Sequence, residues 1–341
     1  METFHHSKSN DLRWLLILGA VSGTFLLAFV PSDAWMHAEE PSVELLARLV
    51  KAVLTVLLLT VVPALWARVA QTVSVGMLIA LGALAFGCGF LFSGNGKGAL
   101  YTLLLIALPG AGLYLLQRLK ISNFRTVVYG SFLILIALFG YRCLPGMIEN
   151  GDGFGWFREA VGLVRKSLEP FDVMEYKITG FTLGEILDTY RDSAEEACVP
   201  MMLSASMAAS LSNTLLSHLW NRNGSVALTP LPKFEDWRCE RWYVILTTVF
   251  VFGSVLLSLF GWRAIDGVAS VAEELWRLPC MLAGLCAIRK IGTRSGRGWI
   301  LWIAIGALLI LPAITGIILT GIGILASVRK PMNTGENGGH L

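Results

Sequence analysis

Ionisable residues inside an apolar run are the first place to look for chemistry. The stretch from Ala264 to Ile288 is largely apolar, yet it carries Asp266, Ser270, Glu273, Glu274 and Arg277. A charge at membrane depth costs about 2.5–3.5 kcal/mol on insertion scales, so such residues call for a partner or a cavity. On a helix, Asp266, Ser270, Glu273, Arg277 and Gly284 share one stripe. Glu273 and Arg277 stand i,i+4 with the acid first, and Glu274 reaches Arg277 at i,i+3. Two readings stand. The patch faces an internal cavity and binds a small polar or charged ligand, or it sits at the outer interface with Arg277 paired one turn inside.

A second stripe is uncharged. In VPMMLSASMAASLSNTLLSHLW, Ser206, Ser210, Asn213 and Ser217 fall on one helical face. Small residues four apart let helices approach, and their polar groups can bond across the contact. The stripe either packs against a neighbouring helix or lines a substrate path. Gly19 and Gly23 form a GxxxG step, a close-packing motif suited to an internal or an intersubunit contact. His218 lies one turn from the end of its run and reads as interfacial.

Signatures of catalysis are missing. There is no HExxH, GxSxG, Walker motif, CxxCH or intramembrane aspartyl pair. The six cysteines form no CxxC and lie mostly in apolar stretches, so they read as buried thiols rather than metal ligands or disulfides. Neither an enzyme, a metal nor a cofactor is expected. Without long charged runs, a nucleic-acid partner has no support.

The elements that must position these stripes are membrane helices. The chain of 341 residues is 55% hydrophobic and 15% charged, with mean hydropathy +0.65. Soluble chains carry about 25% charged residues. An all-α, polytopic bundle is predicted, since a span needs about 20 apolar residues. Spans are expected over 12–30, 52–66 (with an amphipathic lead-in from Val43), 73–92, 99–116 and 127–141. Others follow over 199–220, 242–260, 264–288 and 299–326, about nine in all. The last contains Pro312 and is either one kinked span or a broken pair. Between Pro145 and Glu196 the chain turns polar, with helical periodicity over 156–168 and 183–196. The organisation is thus an N-terminal set of about five spans (1–144), a polar amphipathic insert (145–196), a C-terminal set (197–330) and a disordered tail (331–341).

Lys and Arg favour cytoplasmic loops. With the N-terminus inside, the inner loops receive Arg118, Lys120, Arg125, Arg238, Arg241, Arg289 and Lys290, and the first outer loop is acidic. The insert then lies outside. Arg329 and Lys330 fit only if the last segment does not emerge on the outer side.

The second half resembles the YybS-like family of bacterial polytopic membrane proteins, a family of uncharacterised function. The likeness runs from about Val199 to Arg329. It rests on the proline-led span ending in a basic turn, on the loop PLPKFEDWRCERW with Pro232, Phe234, Trp237 and Trp242, on AGLCAIRK, and on a final span with Pro312 and a basic end. Ala283 stands where the family tends to have Gln, and GILASVRK replaces an acidic and aromatic finish. The family is distantly similar to the substrate-binding S components of energy-coupling-factor transporters. The resemblance implies a binding or transport-related subunit of the bacterial inner membrane, without its own ATPase and working with membrane-protein partners. Its cavity would be lined by the fifth to eighth spans and capped by the insert. The alternative is a non-transporting structural or assembly subunit of an envelope complex.

Overall fold

The computed structural model describes residues 13, 15–24, 26, 41–93, 96–171, 173–178, 180–220, 228–260 and 266–329. The tail and the first outer loop fall outside them. The chain is all-α and divides into two compact units, residues 1–229 and 230–341.

In the first unit, α1 (Leu15–Thr24) leads to α2 (Pro41–Thr72), α3 (Val75–Ser93), α4 (Gly96–Arg118) and α5 (Asn123–Arg142). The insert follows as α6 (Leu144–Asn150), α7 (Gly155–Leu168), a two-residue β-hairpin (Lys177–Ile178 with Phe181–Thr182) and α8 (Leu183–Asp192). It runs into α9 (Ala194–Trp220). In the second unit, α10 (Arg241–Leu259) is followed by α11 (Asp266–Arg294), α12 (Ile300–Ile310) and α13 (Pro312–Val328).

Among the described residues, four segments are long and apolar enough to cross a membrane: Leu46–Thr72, Gly96–Arg118, Asn123–Asn150 and Arg241–Leu259. The helices α1, α3, α12 and α13 are apolar but shorter in their described parts. The helices α9 and α11 have 27 and 29 residues, and their Ser, Asn and charged residues keep them out of the apolar set.

Helix α2 is the hub of the first unit. It meets α4, α9 and α7, and with α1 it buries Ile17, Ala20, Val62 and Trp66. A Cβ on Gly23 would come within 2.5 Å of Val62 Cγ2, so the glycine lets α1 lie against α2. Thr24 Oγ1 beside it accepts from Trp66 Nε1 at 2.9 Å and donates to Ala20 O. The Gly19–Gly23 step therefore makes an internal contact.

The insert does not stand apart. Phe157 of α7 is buried with Leu59, Ile134, Cys198 and Met202, so the insert shares the core of α2, α5 and α9. Asp152 caps α7 by accepting from Phe154 N at 2.9 Å and pairing with Arg158. Those donors hold its carboxyl below the usual carboxylate range, Phe154 first. A capping box of Thr182 and Glu185 starts α8. The continuous helix expected over 183–196 is in fact split at Ser193. Its hydroxyl donates to Thr189 O, a local bond that competes with the helical ladder.

In the second unit α11 and α13 cross in direct backbone contact. A Cβ on Gly323 would lie 1.8 Å from Cys280 O, and one on Gly284 would lie 2.0 Å from Leu319 O. These paired positions fix the two helices antiparallel. The final apolar stretch is a broken pair. Leu311, which precedes Pro312, leaves the helical region, as residues before proline tend to. Thr315 Oγ1 then donates to Ala307 O at 3.1 Å, eight residues back. In a straight helix that separation is about 12 Å. Ser327 Oγ accepts from Cys239 N at 3.2 Å, tying the end of α13 to the start of α10.

Candidate functional site

The charged stripe of α11 resolves into an ion pair and an exposed acid. Arg277 pairs with Glu274, not with Glu273 at the favoured spacing. Glu273 is exposed, and the side chain of Asp266 lies outside the described residues. The Arg277 side chain is 40% exposed and that of Glu274 15%, so the pair is half open rather than enclosed. The α10-facing side of α11 carries a different bond. Pro279 has no N–H for Leu275 O, and the Tyr243 hydroxyl donates to that carbonyl at 2.6 Å. Trp276 Nε1 donates to Thr248 Oγ1 at 2.9 Å beside it.

The uncharged stripe of α9 is buried, and three of its four polar side chains are paired, while the Ser217 hydroxyl has no partner among the described residues. Ser206 Oγ donates to Met202 O within its own helix. Ser210 Oγ donates across to Val127 O of α5 at 2.8 Å. Asn213 spans a proline break in α2. Pro63 removes the N–H that would serve Leu59 O, and Asn213 Nδ2 donates to that carbonyl at 2.7 Å. Its Oδ1 accepts from Ala64 N, the first amide after the proline, at 2.9 Å. A second N–H of the amide donates to Ala209 O. Ser206 thus bonds back to its own helix, while Ser210 and Asn213 spend their hydrogen bonds on packing against α5 and α2. One turn on, His218 Nε2 lies 3.0 Å from Asn123 Oδ1. They line a polar cavity with Thr126, Thr214 and Thr229 of about 10 Å³, room for about one water.

A roomier site lies under the insert, inside the first unit. A groove of about 500 Å³ runs between α2, α7, α8 and the start of α9. Helix α7 supplies Phe157, Ala160, Val161 and Val164. Helix α8 supplies Leu187 and Tyr190. The floor is Leu49 and Ala52 of α2 with Met201 of α9, and Arg48 also lines the groove. Sequence periodicity makes both roof helices amphipathic, and the tertiary fold turns their apolar faces inward. Ion pairs hold the roof on. Arg165 pairs with Asp188 between α7 and α8, and Arg48 Nη2 bonds Glu44 at 2.6 Å and Glu159 of α7 at 2.8 Å. The Arg48 Nε–H is buried and has no acceptor among the described residues. The polar residues named from the sequence do not line this groove. The signal that marked it was the period of 156–168 together with the amphipathic lead-in at Val43.

No protein-family model matches the chain, and no curated protein or solved structure is similar to it. The groove, the buried α9 stripe and the half-open α11 pair therefore stand on their own geometry. Among the described residues no group of three or more His, Cys, Asp or Glu side chains could hold a metal ion.

Proposed function

We propose that the chain is a solute-binding or transport-related subunit of the bacterial inner membrane, and that the groove beneath the insert is its binding site. The observation that carries this reading is the groove, whose size falls in the range of small-molecule sites. Its wall comes from the insert and the second and sixth spans, rather than from the fifth to eighth spans alone. The four long apolar segments with α1, α3, α9 and α11 make eight crossings, and the broken α12–α13 pair is the ninth apolar segment, returning to the side from which it starts. The N-terminus is cytoplasmic and the insert outside, following the Lys and Arg distribution. The Ser327–Cys239 bond supports that orientation, because it draws basic Arg329 to the basic start of α10. The resemblance to the YybS-like family and to S components supports a subunit that lacks an ATPase and works with membrane-protein partners. Within this reading Glu273, Glu274 and Arg277 are interfacial charges.

A second reading, a non-transporting assembly subunit, is favoured by one observation: Ser210 and Asn213 bond across to neighbouring helices rather than into a cavity. Purification of the full chain in mild detergent separates the two. A small compound in the solvent extract supports the binding subunit. Stoichiometric partner proteins with no such compound support the assembly subunit and reject the first reading.

A further inference from the structure

We propose that Cys143 and Cys198 form a disulfide that closes the neck of the insert, made by exchange with an oxidised dithiol protein of the cell envelope. This rests on the orientation that places the insert outside.

The two cysteines bracket the insert in the chain. Cys143 stands just before α6, and Cys198 lies one turn into α9. The antiparallel pairing of α5 and α9 brings them together. Asn123 meets His218 at one end of the pair, and farther along Gly130 packs against Ser210. The Cys143 amide still donates to Phe139 O at 2.8 Å, so α5 holds its course up to the thiol. Carried to the outer ends of the two helices, that register sets Cys143 level with Cys198. Both are buried, at 0% and 1% exposure, in the cluster that also holds Ala194, Met202 and Phe157. The two thiols are free and lie within electrostatic reach of one another.

The compartment sets their chemistry. Disulfides form and persist on the outer side of a bacterial inner membrane and are rare on the inner side. Burial sets the timing. A thiol so enclosed meets no oxidant in the folded protein, and Trp156 of α7 lies against the Cys143 thiol, so the exchange precedes the docking of α7 over the neck. One cysteine thiolate attacks a sulfur of the donor's disulfide and displaces the donor's other sulfur as a thiolate. The second cysteine thiolate then attacks the chain's own sulfur in that mixed disulfide and displaces the donor. Two cysteine thiols are oxidised, the donor's disulfide is reduced to a dithiol, and two protons pass from the cysteines to the donor. After α7 docks, the same burial shields the bond from reductants. The insert is then a loop tied at its neck, with less freedom in its unfolded state.

The test uses the full chain in bacterial cells with an oxidising envelope. Cells are quenched with N-ethylmaleimide in denaturant, and the protein is digested without reductant for peptide mass spectrometry. The tryptic peptide that begins at Cys143 should be recovered joined to the one that carries Cys198, with loss of both as alkylated singles. Cys143→Ser and Cys198→Ser should each lose the joined pair and leave the other thiol alkylated. Chain made in cells that lack the envelope's thiol oxidase should give both thiols alkylated. Orientation is read separately with Glu175→Cys, at an exposed position of the insert, and a membrane-impermeant maleimide on spheroplasts. A Glu175→Cys thiol tagged on intact spheroplasts, with Cys143 and Cys198 both alkylated in the wild type, would overturn the disulfide and leave the orientation standing. A Glu175→Cys thiol tagged only after lysis would overturn the orientation and the envelope oxidant together. A joined pair between either cysteine and a different partner would overturn the assignment.

Discussion

Asn213 on α9 stands across from Pro63 on α2 and makes the backbone bonds that the proline breaks. Its amide gives an N–H to Leu59 O and takes the N–H of Ala64. In a medium without water a freed carbonyl must find a partner in the protein, so one side chain repairs the helix and fixes α2 to α9. The bonds differ in direction, and an amide supplies a donor and an acceptor on separate atoms of one side chain.

This relationship is testable as a cycle. Asn213→Ala leaves Leu59 O and Ala64 N–H unpaired and should cost about 1–3 kcal/mol. Pro63→Ala restores the Leu59 donor. In the double variant the loss should therefore shrink, giving a coupling energy of clear sign in thermal unfolding of the detergent-solubilised protein. Additive losses would break the assignment.

Tyr243 and Pro279 repeat the arrangement in the second unit. Removing one hydroxyl with Tyr243→Phe should cost about 1 kcal/mol. Pro279→Ala gives Leu275 O its own helical donor and should make the same substitution nearly neutral. Equal losses in both backgrounds would mean that the hydroxyl does something else.

The α11–α13 crossing depends on absent side chains. Gly323→Val places carbon where Cys280 O already lies, and Gly284→Val does the same at Leu319 O. Each should separate the helices, because backbone cannot yield as a flexible side chain can. Trypsin should then cut faster around Arg294 and Arg297. Gly253→Val, on α10 in open space, is the matched control and should change neither cleavage nor stability.

The cap of α7 should fail in acid. Asp152 has a depressed carboxyl, so its contribution is complete above the ordinary carboxylate range and is lost as pH falls through the folded value. Hydrogen exchange over residues 154–158 should therefore speed up at low pH relative to that of α5. Asp152→Asn should abolish this pH dependence while keeping an acceptor for the Phe154 amide.

Much of this could be read from the residues, and what could not is long-range. The Ser206–Asn213 stripe was visible as a face, but which carbonyl needed Asn213 depended on Pro63, about 150 residues away in the chain. Pro312 marked a kink or a break, and only the fold distinguishes the repaired helix at Pro63 from the broken one at Pro312. Spacing favoured Glu273 for Arg277, whereas in the fold Arg277 pairs with Glu274 and Glu273 stays exposed. The groove was half legible. Periodicity announced two amphipathic helices in the insert, but nothing local said that their apolar faces would roof α2.

The most direct measurement is native mass spectrometry of the full chain released from mild detergent, wild type beside Val161→Trp. The binding-subunit account expects a non-covalently bound mass on the wild type that is absent from the variant, with both proteins equally folded. A wild type that carries no bound mass, or one that Val161→Trp retains in full, would contradict it.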